Sequence, residues 1–197
     1  MTNAVLIPSL DGKLALETAQ GLHECRAHVW DIHFAPFCAD VRLARNLLLN
    51  AYLQKSPHDT AWLIDADIGF SNVSWGLLER HQTDIACGVY PMRCPPYRAV
   101  RNGLGFVRVA RSGLEKMARH AEHFTLQLPD EQTLSLLDFV PSGIASDTRT
   151  WVPEDAGFYQ LARRAGIEPV IDAEARLVHG GHAAYSLPAV NRTSTPA

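Results

Sequence analysis

The sequence has little of what would mark a secreted, membrane-spanning or nucleic-acid-binding protein. Only four of its 197 residues are cysteines, at irregular spacings. Residues 1–13 do not resemble a secretion signal. The cysteines therefore predict free thiols and a cytoplasmic location rather than a disulfide framework. No apolar run approaches the roughly 18 residues that span a bilayer. The formal net charge of −3 provides no positive field that would attract nucleic acid.

What the sequence does contain is the make-up of one α/β domain. Its 197 residues are 47% hydrophobic and 20% charged, as in an ordinary globular protein with a single core. Apolar runs predict strands near residues 4–8, 29–37, 83–90, 105–109 and 169–172, and one that begins at Thr60. Helical periodicity and end signals predict helices at 13–22, 41–54, 71–80, 112–123 and 153–165, the second, third and fourth capped by Asp40, Ser71 and Ser112.

Two carboxylates stand at the end of the apolar run that begins at Thr60. Asp65 and Asp67 are separated only by Ala66. Because an ionised, unpaired and half-buried carboxylate is costly, such a pair needs a cation or hydrogen-bond donors. In open α/β sheets the ligand crevice lies outside the carboxyl ends of the strands. The pair therefore predicts a divalent metal with a phosphate-bearing ligand; the alternative is a strand end with a helix cap and solvated acids.

Two further groups have the chemistry for such a site. Glu154 and Asp155 begin a predicted helix, whose N-terminus favours the ionised carboxylate. An acid there can take a proton from a hydroxyl that a substrate delivers in line; the alternative is an acid that only complements the helix dipole. His179 follows a short predicted strand at residues 175–178, and a neutral imidazole with two aspartate oxygens suits Mn²⁺ or a similar ion. The alternative for His179 is a histidine at a strand end whose ring nitrogens are hydrogen-bonded within the protein.

Four stretches in a fixed order resemble glycosyltransferases of the GT-A fold, near the large inverting family often called family 2 and its small bacterial and phage members. They are Ala44-Arg45-Asn46, then Trp62 to Phe70, then Val89 to Arg93 with Gly105-Phe106 and Arg111, and last Pro153 to Gly166 leading to Asp172 and His179-x-Gly181. The resemblance implies a Rossmann-like three-layer sandwich with a mixed, mostly parallel central sheet. Residues 1–190 then form a single catalytic domain, with its nucleotide-sugar half at roughly 1–110, its acceptor half at roughly 111–190 and a frayed tail at 191–197.

On the donor side the resemblance implies a metal site and a nucleotide site. Asp67 and His179 would ligate Mn²⁺ or Mg²⁺, and Asp65 would lie near the metal and the ribose. The first strand through Pro8 would flank the nucleobase. Arg45 would help at the nucleobase or the phosphates, and Arg93 would contact a phosphate or the donor sugar.

On the acceptor side the resemblance implies Asp155 as general base, with Glu154 supporting it or binding the acceptor. The implied activity transfers a sugar from a nucleoside-diphosphate sugar, often a UDP-sugar, to a hydroxyl of a glycan, a lipid-linked sugar, a protein or another acceptor. Direct in-line attack would invert the anomeric centre.

The chain departs from the family on this same side. Val152-Pro153 precedes the acidic pair where the family often has Ser or Gly. Residues 125–150 predict a loop-rich segment over the site, in which only 137–143 resembles the family's aromatic-rich acceptor segment. A retaining outcome, the acceptor and homo-oligomerisation are therefore left open.

Other classes of protein share parts of this pattern. A nucleotidyltransferase would show a Gly-rich, Lys-bearing phosphate loop, of which residues 9–13 are a poor version. A phosphohydrolase that forms an aspartyl phosphate would place Thr soon after the acidic pair, where Ile68-Gly69-Phe70 stands. The histidines and cysteines at 23–38 match no common zinc spacing. A nucleotide- and metal-binding protein without catalysis is the remaining alternative.

Overall fold

A mixed sheet, flanked by helices on both faces, organises the chain. The computed structural model describes residues 2–29, 31–92, 99–101, 103–129, 131–144, 149–180 and 185–186. The helices are α1 (Leu16–Glu24), α2 (Val41–Lys55), α3 (Asn72–Glu79), α4 (Arg111–Ala118) and α5 (Glu154–Arg164). The strands are β1 (Asn3–Ser9), β2 (Asp31–Pro36), β3 (Thr60–Ile64), β4 (Ile68–Gly69), β5 (Ile85–Pro91), β6 (Ala99–Val100), β7 (Phe106–Ala110), β8 (His123–Gln127), β9 (Thr133–Leu137), β10 (Gly143–Ile144), β11 (Trp151–Val152), β12 (Val170–Arg176), β13 (Val178–His179) and β14 (Tyr185–Ser186).

The central sheet has seven strands, with the order β12-β5-β7-β3-β1-β2 and with β6 paired to β5. β1 runs parallel to β2 and β3, and β5 runs parallel to β12. β7 runs antiparallel to both of its neighbours, β3 and β5. The predicted mixed, mostly parallel sheet is confirmed. Because β7 is reversed, its first residues lie at the same sheet edge as the end of β3.

The core is divided by the sheet into two clusters, which gives the three layers. On one face, α2, α4 and α5 pack through residues such as Leu49, Leu114 and Phe158. On the other face, α3 packs through Trp75, whose ring stacks on Trp62 of β3 with centroids 3.7 Å apart. β3 is buried along its whole length, as its unbroken apolar sequence predicts for a strand covered on both faces.

Helix ends follow the predicted caps in two of three cases. Asp40 accepts from the Leu43 amide at 3.1 Å, and Ser71 forms a capping box with Ser74. The predicted cap at Ser112 is wrong, because α4 already begins at Arg111 and the Ser112 hydroxyl donates to Asp84 at 2.8 Å.

The prediction for residues 125–150 is only partly right, because it missed short strands within the loops. The described residues include a hairpin of β8 and β9, followed by the short pairing of β10 with β11. Alternating apolar residues, Phe124 and Leu126 facing Leu136 and Leu134, carry the first hairpin. The Ser- and Thr-rich composition concealed this alternation.

No helix in the described part of the chain is both long enough and apolar enough to cross a membrane. The division into a donor and an acceptor half stays a prediction. Arg93, Gly181 and the predicted tail at 191–197 lie outside the described residues.

Candidate active site

The turn that carries the two aspartates is held by its backbone. All three carbonyl groups of residues 65–67 accept hydrogen bonds. The donors are the amides of Ala15, Ile68 and Gly180 and the hydroxyl of Thr18, at 2.6 to 3.1 Å. The start of α1 and the residue after β13 therefore fix the backbone of this turn at the carboxyl end of β3.

A single buried guanidinium joins this turn to the acidic start of α5. Arg45, in the second turn of α2, is only 3% exposed. Its Nη2 donates to both oxygens of Asp65, at 2.9 and 3.0 Å. Its Nη1 donates to Glu154 at 3.3 Å and to Asp155 at 3.2 Å. The structure thus brings together four of the predicted site residues, which are separated by up to 110 positions in the sequence.

The charge state of Arg45 follows from these contacts. Burial lowers the pKa of the guanidinium, but the carboxylates of Asp65, Asp155 and Glu154 raise it above its ordinary value. Arg45 therefore remains a cation and holds the three carboxylates in a fixed relation. Its Nε–H has no hydrogen-bond partner within the described residues. A buried donor of this kind is one that water or a ligand oxygen would satisfy.

Asp155 has the environment of a carboxylate tuned for proton transfer. Burial raises its pKa, Arg45 opposes this, and the charges of Glu154 and Asp65 raise it further, to about 6. A hydrogen bond from the Leu104 backbone acts in the lowering direction. A base with a pKa just below neutral pH is mostly ionised under ordinary conditions and is a stronger proton acceptor than a normal aspartate.

His179 is brought to the acidic turn by a short antiparallel pairing of β13 with β4. Its Nδ1 lies 2.8 Å from the carbonyl oxygen of Pro91. Because a carbonyl only accepts, Nδ1 carries a proton, and in the neutral ring Nε2 then bears the lone pair. Nε2 lies 3.7 Å from Oδ1 of Asp67. Histidines that bind metals are commonly oriented by such a backbone carbonyl on the other ring nitrogen.

These residues supply part of a site for a divalent cation. A single ion with bonds of about 2.1 Å reaches both Asp67 and His179, because 3.7 Å is less than twice that length. Asp65 directs both of its oxygens to Arg45, and no three His, Cys, Asp or Glu side chains converge as ligands among the described residues. Two protein ligands fit an ion whose other ligands are phosphate oxygens and water. The metal-binding roles stay predictions.

A cavity of about 530 Å³ opens at this turn, a size typical of small-molecule sites. Pro8, at the end of β1, lines it, as do Lys13 and the partly buried thiol Cys38. The turn itself forms one wall, through residues 65–67. The proposed position of the nucleobase beside Pro8 is compatible with this cavity and stays a prediction.

The reversed strand β7 begins at the site, and the sequence analysis missed its contribution. The Gly105 carbonyl accepts from the Asp65 amide at 3.0 Å, and the Gly105 amide donates to the Tyr90 hydroxyl at 3.3 Å. The Tyr90 ring meets His179 edge-on, with centroids 5.4 Å apart. A Cβ at Gly103 would lie 1.8 Å from the Tyr90 hydroxyl. The two glycines around Leu104 were the available signal of such close backbone approach.

Trp151 is a second residue that the sequence analysis missed. It lies on β11, three residues before Glu154, and is 64% exposed. Its cross-strand partner Ile144 on β10 is 70% exposed. The two side chains place an exposed apolar surface close in sequence to the acidic pair. A tryptophan just upstream of Glu154-Asp155 was the signal in the sequence.

Similarity to known proteins is found in structure and not in sequence. Neither a family model nor a curated protein matches the chain. A197 from STIV has a TM-score of 0.59 and 16% identity, over 91% of this chain and 85% of that chain. The catalytic domain of Drosophila beta1,4-galactosyltransferase 7, solved with xylobiose, has a TM-score of 0.50 and 18% identity, over 86% of this chain and 64% of that chain. A mutant of that enzyme, solved with manganese, UDP-Gal and xylobiose, has a TM-score of 0.48 and 17% identity.

The fold is therefore GT-A-like, as the resemblance in the motifs implied. Identities of 16% and 18% establish the fold alone.

Proposed function

We propose that this protein is a metal-dependent glycosyltransferase that moves a sugar from a nucleoside-diphosphate sugar, in the first instance a UDP-sugar, to an acceptor hydroxyl. The observation that carries the proposal is the Arg45 bridge. One buried guanidinium binds Asp65 beside the cavity and the pair Glu154-Asp155 on α5. Binding a nucleotide does not require a second acidic pair, whereas inverting transfer to a hydroxyl requires a base next to the donor. The GT-A-like fold supports the same class of reaction.

On the donor side, the cavity beside Pro8 takes the nucleotide, and Asp67 with His179 holds Mn²⁺ or Mg²⁺. The metal, when bound, neutralises charge on the diphosphate and so makes it a better leaving group. Lys13 at the cavity wall is an exposed cation within a short turn, and we assign it to the phosphates. Asp65 stays oriented by Arg45 and lies towards the ribose.

On the acceptor side, Asp155 accepts the proton of the acceptor hydroxyl while that oxygen forms a bond to the anomeric carbon. The bond from the anomeric carbon to the diphosphate oxygen breaks with its electron pair leaving on the diphosphate. Arg45 keeps Asp155 ionised and oriented, and Glu154 assists in binding the acceptor. Attack opposite to the leaving group inverts the anomeric centre. The exposed ring of Trp151 offers an apolar face to the acceptor sugar.

Calorimetry with UDP, with and without Mn²⁺, tests the donor half. Wild-type protein should bind UDP in a metal-dependent manner, and Asp67→Ala should lose that dependence because the diphosphate loses its cation bridge. Asp59→Ala is the matched control, since Asp59 is exposed and stands at the opposite end of β3. Equal UDP affinity of wild type with and without metal would rule out the metal site.

Cys38 provides a readout of the same cavity that does not depend on turnover. Cys25 and Cys87 are buried, whereas Cys38 is partly exposed and lines the cavity. The fourth cysteine, Cys94, is replaced by serine (Cys94→Ser) so that it cannot react. In this background, UDP with Mn²⁺ should slow modification of Cys38 by a maleimide. Modification at an unchanged rate at saturating UDP would place the nucleotide elsewhere.

A donor panel scored by release of the nucleoside diphosphate tests the reaction class. Metal-dependent release that increases with a suitable acceptor is the expected result. Tight nucleotide binding with no turnover of any donor would indicate a non-catalytic binding protein. Pyrophosphate release from a nucleoside triphosphate and a sugar phosphate would indicate a nucleotidyltransferase.

A further inference from the structure

A second cavity, of about 540 Å³, runs along α5. It shares no lining residue with the first cavity among the residues that the structure describes. Its walls are one face of α5 over residues 157–164, the segment 141–144, Val152, and the side chains of Glu122 and Asp138. We call this cavity the α5 groove. Its volume is within the range of small-molecule sites.

The inner wall of the α5 groove carries a fixed carboxylate. Asp138 is only 8% exposed. Arg42 binds one of its oxygens, and the Asn46 side chain donates to the other at 2.8 Å. A carboxylate has about four acceptor positions, so these two bonds orient Asp138 without exhausting it. The groove therefore has a rigid acceptor for a ligand hydroxyl.

The outer wall carries hydrogen-bond donors that are neutral, on an amide, and donors that are cationic, on guanidinium groups. Gln160, Arg163 and Arg164 lie on the exposed face of α5. Arg163 has an ion pair with Glu168 at 3.7 Å, but both side chains are exposed, and such pairs hold a side chain weakly. A ligand can therefore recruit these donors.

The mixture of charges decides the class of ligand. A phosphate or sulfate would meet the carboxylates of Glu122 and Asp138 as well as the arginines. A sugar hydroxyl both donates and accepts, so it can bind the carboxylates, the amide of Gln160 and the guanidinium groups alike. The lining of the α5 groove is thus suited to a neutral, polyhydroxylated ligand.

The α5 groove lies on the helix that begins with the acidic pair of the proposed acceptor side. α5 begins with the acidic pair, and the groove starts two residues after Asp155, at Gly157. Residues 157–164 extend about 10 Å along the helix axis. Gly143 and Val152, which pair across β10 and β11, form part of the groove wall. The same hairpin carries the exposed Trp151.

We propose that the α5 groove binds the further sugar units of an oligosaccharide acceptor whose terminal hydroxyl is presented to Asp155. The proposal rests on the proposed function, since it extends the acceptor side of the same transferase. It assigns an oligosaccharide, rather than a free monosaccharide or an anionic small molecule, as the acceptor class.

The test uses a printed array of mono- to hexasaccharides probed with the fluorescently labelled full chain in the presence of UDP and Mn²⁺. The groove variant is Gln160→Ala with Arg164→Ala, both at exposed positions. The matched control is Gln127→Ala with Arg119→Ala, exposed residues that line neither cavity. Wild type and control should retain the same saccharides of two or more units, and the groove variant should lose at least about tenfold in affinity for them, as expected for a few lost hydrogen bonds.

Three outcomes would overturn the proposal. They are retention of no saccharide by the wild type, equal retention by the groove variant, and displacement of the bound saccharides by inorganic phosphate. UDP calorimetry on the same variants separates this proposal from the proposed function. If UDP binding depends on metal but the groove variant retains saccharides as well as the wild type does, only the groove proposal is overturned. If the wild type does not bind UDP, the proposed transferase function is overturned.

Discussion

The turn at 65–67, proposed for the donor side, and the segment at 123–152, proposed for the acceptor side, are held in different ways. The turn at 65–67 is fixed by hydrogen bonds to its backbone carbonyls. The acceptor-side segment consists of two short hairpins, tied to α2 by side chains. Asn46 binds Asp138 and the Phe139 amide, both at 2.8 Å, and Asn50 binds both backbone groups of Leu137.

This difference indicates which part of the site can change most readily. Backbone bonds survive substitution of most side chains, so the donor side is robust to change. The acceptor side depends on a few polar side chains and can be altered by replacing one of them. α2 serves both sides, because Arg45 faces the acidic turn while Asn46 and Asn50 face the acceptor-side segment.

Asp155→Asn should give the largest difference between the two proposed sides, because it should impair sugar transfer and spare UDP binding. Losing the general base should lower the turnover of sugar transfer by roughly 10²- to 10⁴-fold, while metal-dependent UDP binding stays within a factor of about two. Steady-state kinetics and UDP calorimetry on the same preparation provide the check. Transfer at more than a tenth of the wild-type rate would show that another group is the base.

Arg45→Met should break the connection between the sides. Three carboxylates would lose their shared cation, and we expect the free energy of unfolding to fall by about 2–3 kcal/mol. Transfer should fall more than UDP binding. Arg45→Lys should recover part of the stability but little transfer, because one ammonium group cannot reproduce the fork that reaches both sides. Urea unfolding and kinetics measure the two effects, and wild-type transfer by Arg45→Met would refute the bridge.

Asn46→Ala should loosen the acceptor side alone. It removes two buried hydrogen bonds, and a loss of about 1–3 kcal/mol in the free energy of unfolding is expected. Hydrogen exchange should become faster in residues 133–144 and remain unchanged in residues 65–69. The exposed Asn72→Ala on α3 is the matched control. Equally faster exchange in both regions would contradict the separate anchoring.

Low pH should act on the acceptor carboxylate. The pKa of Asp155 is raised to about 6, so protonation removes the base as the pH falls through that value. At saturating donor, transfer should decline about tenfold per pH unit below about pH 6. The raised pKa of Asp155 also means that its carboxyl group stabilises the folded state only while it is protonated. Its contribution to the free energy of unfolding therefore falls as the pH rises from the pKa of the unfolded chain to about 6. A transfer rate that is flat down to pH 5 would exclude Asp155 as the titrating base.

Local patterns made the donor side predictable from the sequence. A buried strand has an unbroken apolar run, and the end of that run correctly predicted that Asp65 and Asp67 lie just after β3. Cap chemistry at Asp40 and Ser71 correctly placed the starts of two helices. The start of α5 at the acidic pair also followed from local signals, although Pro153 is the N-cap and not the first helical residue.

What could not be predicted depends on long-range geometry. The contacts of Arg45 with Asp65 and Asp155 cross 20 and 110 residues of sequence, and no local pattern records them. The direction of β7 is equally invisible, because an alternating apolar run reads the same in both orientations. In the segment at 123–152, short exposed strands carry too few apolar residues to stand out from loops.

The reversed direction of β7 has a consequence for how the chain can evolve. Residues 103–105 reach the site because β7 is fixed in register by β3 on one side and β5 on the other. Their position is therefore set by the strand that follows them and not by the connection that precedes them. That connection contains β6, which is paired to β5, so we expect Gly105 to keep its place against Asp65 when a change of length spares this pairing. In the proposed transferase, such insertions would offer a route to new donor preferences that leaves the acidic turn undisturbed.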